Sequence, residues 1–358
     1  MASDPRPILK ETLRTVLAAY RLPGFPRVAG RLPGTQLTFR VRAGESTFVL
    51  HRCNEYTEPP DLRSQCLLAS FLRRAGLSVV EPLKTKEEES FVLAGERLWM
   101  VFPHATGRRG KPNRPEDRAA LAEAQGQWVA AAERVRTAPE WELIARTAKR
   151  YRQRKSWAWA VPLDRVPHFA AERKVLEKAR LELRPEEKET VPPALDGLGS
   201  ALAQLEQLLA RAGVAKLPHT VTHGDFVLTN TLLDGRSATV LDLDCYSYEP
   251  RAADFARSVS HCMRRVPEAE LRALARAFQS RARLAPEEME CVPLLIAAYE
   301  LYYAVMHVLL MLEEEGPDRA KMLAAIQEEA EAITRYHKER DRLTRLMLPA
   351  RPWHEEAP

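Results

Sequence analysis

His223-Gly224-Asp225-Phe226-Val227-Leu228-Thr229-Asn230-Thr231-Leu232-Leu233, followed by Val240-Leu241-Asp242-Leu243-Asp244, is the stretch that decides the reading of this 358-residue chain. Its acids and its asparagine are separated by a short apolar hairpin. A loop Asp five residues before an Asn, then an Asp ending a hydrophobic strand, can set three oxygen ligands around one point. Hard oxygen donors of this kind suit Mg2+. Phosphoryl transfer asks little more of a protein: divalent metal between phosphate oxygens, a carboxylate to position and deprotonate the acceptor hydroxyl, and an in-line approach.

Upstream, Ile8, Leu9, Leu13, Val16 and Leu17 recur at helical spacing until Pro23, which predicts a helix over 6–20. The period then changes. Leu37, Phe39 and Val41 alternate with polar residues, Ala43-Gly44-Glu45-Ser46 supplies a turn, and Thr47-Phe48-Val49-Leu50 resumes, so 36–51 reads as a hairpin. Leu62, Cys66, Leu68 or Ala69 and Leu72 mark a helix over 61–75 that Gly76 ends. Runs at 89–93 and 97–102 flank Ala94-Gly95-Glu96 as a second hairpin, and the polar, basic run 106–118 reads as a connector. Segments rich in Ala, Leu, Glu and Arg then predict helices near 116–136, 140–155, 168–183 and 196–212. Past an extended interval at 219–244, more come at 251–265, 267–283, 286–315 and 317–347. The expected class is α+β, a small sheet-bearing lobe joined to a larger helical one.

The H-G-D-x-x-x-x-N element of His223 to Asn230, the Leu241-Asp242 strand end and Pro250-Arg251-Ala252-Ala253-Asp254-Phe255-Ala256 together resemble the aminoglycoside phosphotransferase and choline kinase-like family. The likeness extends back over the hairpin, helix, hairpin order and covers roughly residues 28 to 312. It implies a protein kinase-like two-lobed fold: a small antiparallel-sheet N-terminal lobe (1–103) that binds nucleotide, and a large, mainly helical C-terminal lobe (104–358) for catalysis and substrate. It further implies ATP and Mg2+ as cofactors, Asp225 as catalytic base, Asn230 and Asp242 as magnesium ligands, and adenine held by hinge backbone near Phe102 and His104. The acceptor it implies is a hydroxyl on a small molecule. Asp244 and Glu249, with Asp225, suit an amine-bearing alcohol such as an aminoglycoside or a choline-like compound; homoserine-like and sugar acceptors fit the same scaffold. His223 and Asp254 read as structural, one holding the loop through its ring and the other anchoring a helix start or loop. Asp244 either faces solvent beyond Asp242 or shares the site. Tyr299, Tyr302 and Tyr303 either line the substrate cavity or pack beneath it.

The pattern departs from the family in one place. Where the strand Phe48-Val49-Leu50 would continue into a Lys that contacts nucleotide phosphates, this chain has His51, with Arg52 beside it; the helical position of the partner Glu falls on Gln65. Two arrangements keep nucleotide binding: His51 hydrogen-bonded to Gln65, or a bulge that turns Arg52 inward as the cation. A third outcome is a kinase-like scaffold without efficient turnover. The retained Asp225, Asn230 and Asp242 favour an enzyme.

Weaker signals point elsewhere and are set aside. Gly30 and Gly34 flank a turn where a phosphate-covering loop would sit, without a kinase glycine pattern. Gly107-Arg108-Arg109-Gly110-Lys111-Pro112 lacks the hydroxyl that a phosphate loop needs and reads as a solvated basic connector. His219 and His223 lie on extended chain, which excludes helical zinc spacing, and Trp157 and Trp159 read as packing residues before an aromatic wall for a cation. Lys plus Arg exceed Asp plus Glu only by 54 to 49, too diffuse a surplus for nucleic acid. Five scattered cysteines without a C-x-x-C pair fit a reduced cytoplasmic setting, and the sequence reads as having neither a signal peptide nor a membrane span.

Overall fold

The computed structural model describes residues 5–33, 37–55, 57–154, 169–185, 188–189, 191–235, 237–263, 266–312 and 319–348; Gly34, Trp157 and Trp159 lie outside them. The first helix, α1 (Pro5–Ala18), sets Leu13, Val16 and Leu17 against one side of a five-stranded antiparallel sheet. Its strands are β1 (Arg27–Arg31), β2 (Thr38–Ala43), β3 (Ser46–Arg52) and, after helix α2 (Pro59–Arg74), β4 (Val92–Ala94) and β5 (Arg97–Pro103), in the order β1-β2-β3-β5-β4. Pro59 and Pro60 start α2, where they sacrifice no helical hydrogen bond, and the Asp61 carboxylate accepts the Glu58 N–H at 2.8 Å. Arg73 and Arg74 close it beside the negative end of its dipole.

Register decides what each side of the sheet carries, because residues paired across strands point to the same side of the pleat. Phe39, Val41, Phe48, Leu50, Trp99 and Val101 are packed with α1. The opposite side holds Thr38 paired with His51, Arg40 with Val49 and Arg42 with Thr47, then Val49 with Phe102 and His51 with Met100. Part of that side is covered by α2, whose Leu62 packs on Leu98 and Met100. The expected two hairpins are present, and β1 is an addition. All five of its residues are exposed, so no apolar alternation marks it in the sequence.

The chain then forms β6 (Arg108–Arg109), α3 (Pro115–Val135), α4 (Trp141–Arg154), α5 (Ala170–Leu181), α6 (Val191–Arg211), β7 (His219–Thr222), β8 (Thr231–Asp234), β9 (Ser237–Val240), β10 (Ser247–Pro250), α7 (Ala253–Met263), α8 (Glu268–Ala282), α9 (Pro286–Glu290), α10 (Val292–Leu312) and α11 (Arg319–Met347). Two small sheets, β6-β8-β9 and β10-β7, lie within this helical lobe. The run read as a solvated connector is more ordered than expected: Arg108 and Arg109 pair with Leu233 and Leu232 of β8, and Arg108 clamps the buried Asp117 with contacts of 2.6 and 2.5 Å. That hydrogen bond holds the Asp117 carboxyl below its usual range.

Segment 286–312 is long and apolar enough to cross a membrane by composition alone, but it lies mostly inside the protein; Leu295, Ile296, Ala297 and Ala298 are fully buried in the main helical core. The two lobes share a core as well. Leu68, Ala69 and Leu72 of α2 pack in one cluster with Trp128 of α3 and Val240 of β9, and Val240 exchanges backbone hydrogen bonds with Ser78 and Val80.

Candidate active site

The loop between β7 and β8 is built around a buried carboxylate. Asp254, near the start of α7, accepts the N–H groups of His223 and Gly224 at 2.7 and 3.0 Å, so it fixes the backbone just before Asp225. Its burial pushes its pKa up, opposed by His223 and Arg257. His223 holds the same loop from inside. A backbone N–H can only donate and a carbonyl only accept, so the Asp225 N–H to Nδ1 (3.2 Å) makes Nδ1 the acceptor, and the contact with Leu241 O (2.8 Å) makes Nε2 the donor. The ring also stacks on Phe226 and leans on Trp128. Both residues thus have the structural roles read from the sequence. From below, Gln125 of α3 donates to Phe226 O and Asp254 O. Gly224 is required between these anchors: its φ is +78°, and a Cβ there would stand 1.9 Å from Cys245 O.

Asp225 emerges half-buried from this scaffold. Asn230, placed by a short turn at Leu228–Asn230, donates Nδ2 to both Asp225 Oδ2 (2.7 Å) and Asp225 O (3.0 Å). Its Oδ1 is thereby the atom left to offer a cation. Leu241 N donates to Asn230 O at 2.9 Å, tying the residue before Asp242 to the same turn. Asp242 follows β9 in the left-handed region, φ +59°, a conformation that costs most side chains energy but that Asp tolerates better than most. It keeps surface open to the crevice, yet protein surrounds the carboxyl on the crevice walls. That burial, with the Asp244 carboxyl and Asp225 nearby, raises its pKa well above the usual carboxylate range; its open surface tempers the burial and leaves the like charges as the firmer cause. A crowd of carboxylates with an amide oxygen beside it is a donor set that fits a hard divalent cation.

Asp244 does not simply face solvent. It accepts a long 3.4 Å contact from Asn54 Nδ2, beyond the end of β3, and its charge acts on His51. His51 lies on the crevice side of β3, with its Nδ1 3.1 Å from Thr38 Oγ1 and its ring edge-on to Phe102. Burial lowers its pKa, partly offset by Asp244. The expected His51 to Gln65 bond is replaced by this contact with Thr38, and Gln65 Nε2, buried in α2, makes no hydrogen bond among the described residues. Nor does β3 bulge. Its pairing with β2 and β5 runs without a register shift, which leaves Arg52 on the α1 side with Phe48 and Leu50. At the hinge, the His104 N–H is already donated to Thr47 O at 3.1 Å.

Two expected substrate residues are internal. Glu249, fully buried in β10, accepts from Thr222 Oγ1 and from Tyr299 OH, and Tyr299 is 1% exposed. The residue that sequence reasoning missed lies between them and Asp225. Arg257 of α7, with its side chain 5% exposed, sits 3.8 Å from Asp225 Oδ1 and 4.6 Å above the Tyr299 ring. Burial opposes its charge, but Tyr299, Tyr303, Glu249 and Asp225 raise its pKa well above the ordinary value. Its sequence signal is spacing: three residues after Asp254 on one helix, it shares that anchor's side. Tyr302 and Tyr303, packed edge to face at 5.1 Å, stand near the same charges.

A search of curated proteins returns no match to the chain. Among solved structures it is similar to an aminoglycoside phosphotransferase from Alicyclobacillus acidocaldarius (17% identity, 93% of this chain and 96% of the other, TM-score 0.63). It is also similar to a choline/ethanolamine kinase family protein from Mesorhizobium loti (17%, 95% and 99%, TM-score 0.58). A third is the amicoumacin kinase hAmiN in complex with AMP-PNP, Ca2+ and Ami (13%, 99% and 97%, TM-score 0.59). The fold is accordingly the protein kinase-like one. Residues 32–289, which carry β2 to β5 of the sheet, the Asp225–Asn230 loop and Asp242, match the model of the phosphotransferase enzyme family, and the chain belongs to that family.

Proposed function

We propose that this chain is a kinase that transfers the terminal phosphoryl group of ATP to a hydroxyl of a small molecule. The observation that carries the reading is the bond from Asn230 to the Asp225 carboxylate, made in a loop whose backbone Asp254 and His223 both hold. A general base gains from such fixation, because its oxygen must meet one hydroxyl in line with the phosphorus. Asp225 Oδ2 is oriented by Asn230 and Oδ1 lies toward Arg257, so the carboxylate cannot swing freely when the acceptor enters. Asp225 accepts the hydroxyl proton as the acceptor oxygen bonds to phosphorus and ADP departs.

Asn230 and Asp242 would hold Mg2+, which supplies charge neutralisation for the triphosphate oxygens. The similar amicoumacin kinase, captured with a triphosphate analogue and a divalent cation, supports that expectation for this chain. Acceptors of the aminoglycoside, amino-alcohol, homoserine-like and sugar classes belong to the reading, with Asp244 next to Asp242 and with Tyr302 and Tyr303 near the charge of Asp225. Glu249 and Tyr299 act instead as the support of Arg257.

The test is ADP release by the full chain from ATP and Mg2+ across a panel of those hydroxylated compounds. Acceptor-dependent ADP formation with a matching phosphorylated product is expected; ATP binding without product from any of the classes would oppose the reading.

A further inference from the structure

In the kinase reading, on which the role assigned here to Arg40 rests, a nucleoside triphosphate brings a polyanion under the N-terminal sheet. The strand expected to meet it with a cation offers none on that side: His51 is engaged by Thr38, its burial disfavours the charged form, and Arg52 lies on the opposite side of the sheet. The cations are one strand over. Arg40 of β2 pairs directly with Val49, and Arg42 with Thr47, on the side shared with His51 and Phe102. Arg27 of β1 pairs with Arg42 and extends the row. All three are exposed, and among the described residues none of their side chains makes an ion pair or hydrogen bond.

That side of the sheet is the one that looks across the crevice. Asn54, just past β3, reaches Asp244, two residues from Asp242. Over the rest of this side α2 provides apolar cover, but it leaves β2 bare. Arginines that alternate with the buried Phe39, Val41 and Ala43 keep a strand soluble whatever they bind. What goes beyond solubility is their place, beside the one position where the family's cation is missing, and their lack of protein partners. Arg40 is the nearest of the row to that position: one strand-residue pair from Thr38, which holds His51, about 7 Å along β2 and within the reach of a long side chain. A guanidinium presents paired donors that match phosphate oxygens.

We infer that Arg40 supplies, from β2, the cation that holds the nucleotide's phosphates in this protein, in place of the β3 lysine that His51 replaces. Arg42 and Arg27 extend the same positive row outward and draw the polyanion in.

The experiment is calorimetric titration of the full chain with ATP and with adenosine, both with Mg2+, for the wild type, R40Q, R40K and R52Q, with urea midpoints to verify folding. R40Q is expected to weaken ATP binding by about tenfold or more and to leave adenosine unchanged, with R40K recovering part of the loss. R40Q that binds ATP as the wild type does, or that loses ATP and adenosine equally, overturns the inference. So does a loss found in R52Q instead, which would place the cation on β3. The underlying reading fails separately: a wild type that binds no ATP removes the kinase assignment and this inference with it, whereas wild-type binding with an indifferent R40Q removes the inference alone.

Discussion

Asp225 and Gly224 are neighbours with different duties, and substitutions separate them. In Asp225→Asn the shape of the side chain is kept and the base is lost, so turnover should fall by roughly 10² to 10⁴ with nucleotide affinity nearly intact. ADP release measured beside ATP titration checks this; loss of affinity with normal turnover in the bound fraction would contradict the assignment. In Gly224→Ala a Cβ is forced against Cys245 O at a positive φ. The loop must shift or strain, at about 2–5 kcal/mol, readable as a lower urea midpoint. His223, Asp225, Asn230 and Asp242 were legible in the sequence because the chemistry is nearly contiguous there, with short spacings that a loop and a hairpin convert into proximity. Arg257 was not, because its role arises only when α7 is laid under the loop and Tyr299 of α10 comes beneath it.

Between elements, α10 and α11 pack along their length, and the contact includes polar pairs: Arg319 of α11 donates to Met311 O of α10. His307 of α10 meets Glu329 of α11 at 3.0 Å, and this bond, more than the partial burial that opposes it, raises the His307 pKa above 6.5. A histidine whose folded-state pKa is raised adds stability that is complete below its unfolded value and is lost as pH rises through the folded value. The urea midpoint should therefore decline as pH rises from below 6.5 to above it by more in the wild type than in His307→Gln, with a difference of at most about 1 kcal/mol. Equal pH profiles for the two proteins would refute the contact's role. Helix existence in this lobe followed from periodicity, but edge elements did not. The fully exposed β1 and the two-residue β6 have no pattern of their own and exist because β2 and β8 offer backbone partners.

Across the whole molecule, the crevice joins Asp242 and Asp244 of one lobe to His51 and Asn54 of the other, so nucleotide and metal should bind the folded chain and not the unfolded one. ATP at a hundred times its dissociation constant would then stabilise the protein by about 2.7 kcal/mol, seen as a rise of several degrees in Tm. With chelator in place of Mg2+ the rise should shrink, since the carboxylates at Asp242 and Asp244 would then face the triphosphate without a cation between them. An undiminished shift without metal would count against Asn230 and Asp242 as its holders.

The order of helices and hairpins, the loop that carries Asp225 and Asn230, and the family were written in the sequence, because periodicity and short-range spacing are local properties that survive in a linear chain. Which side of the sheet meets the crevice was decided only by tertiary structure. A strand's alternation sorts Arg40 from Val41 and His51 from Arg52, but it is indifferent to which set faces inward; that choice came from α1 claiming one side and α2 only part of the other. The same long-range packing buried Glu249 and Tyr299 against each other and put Arg257 beside Asp225.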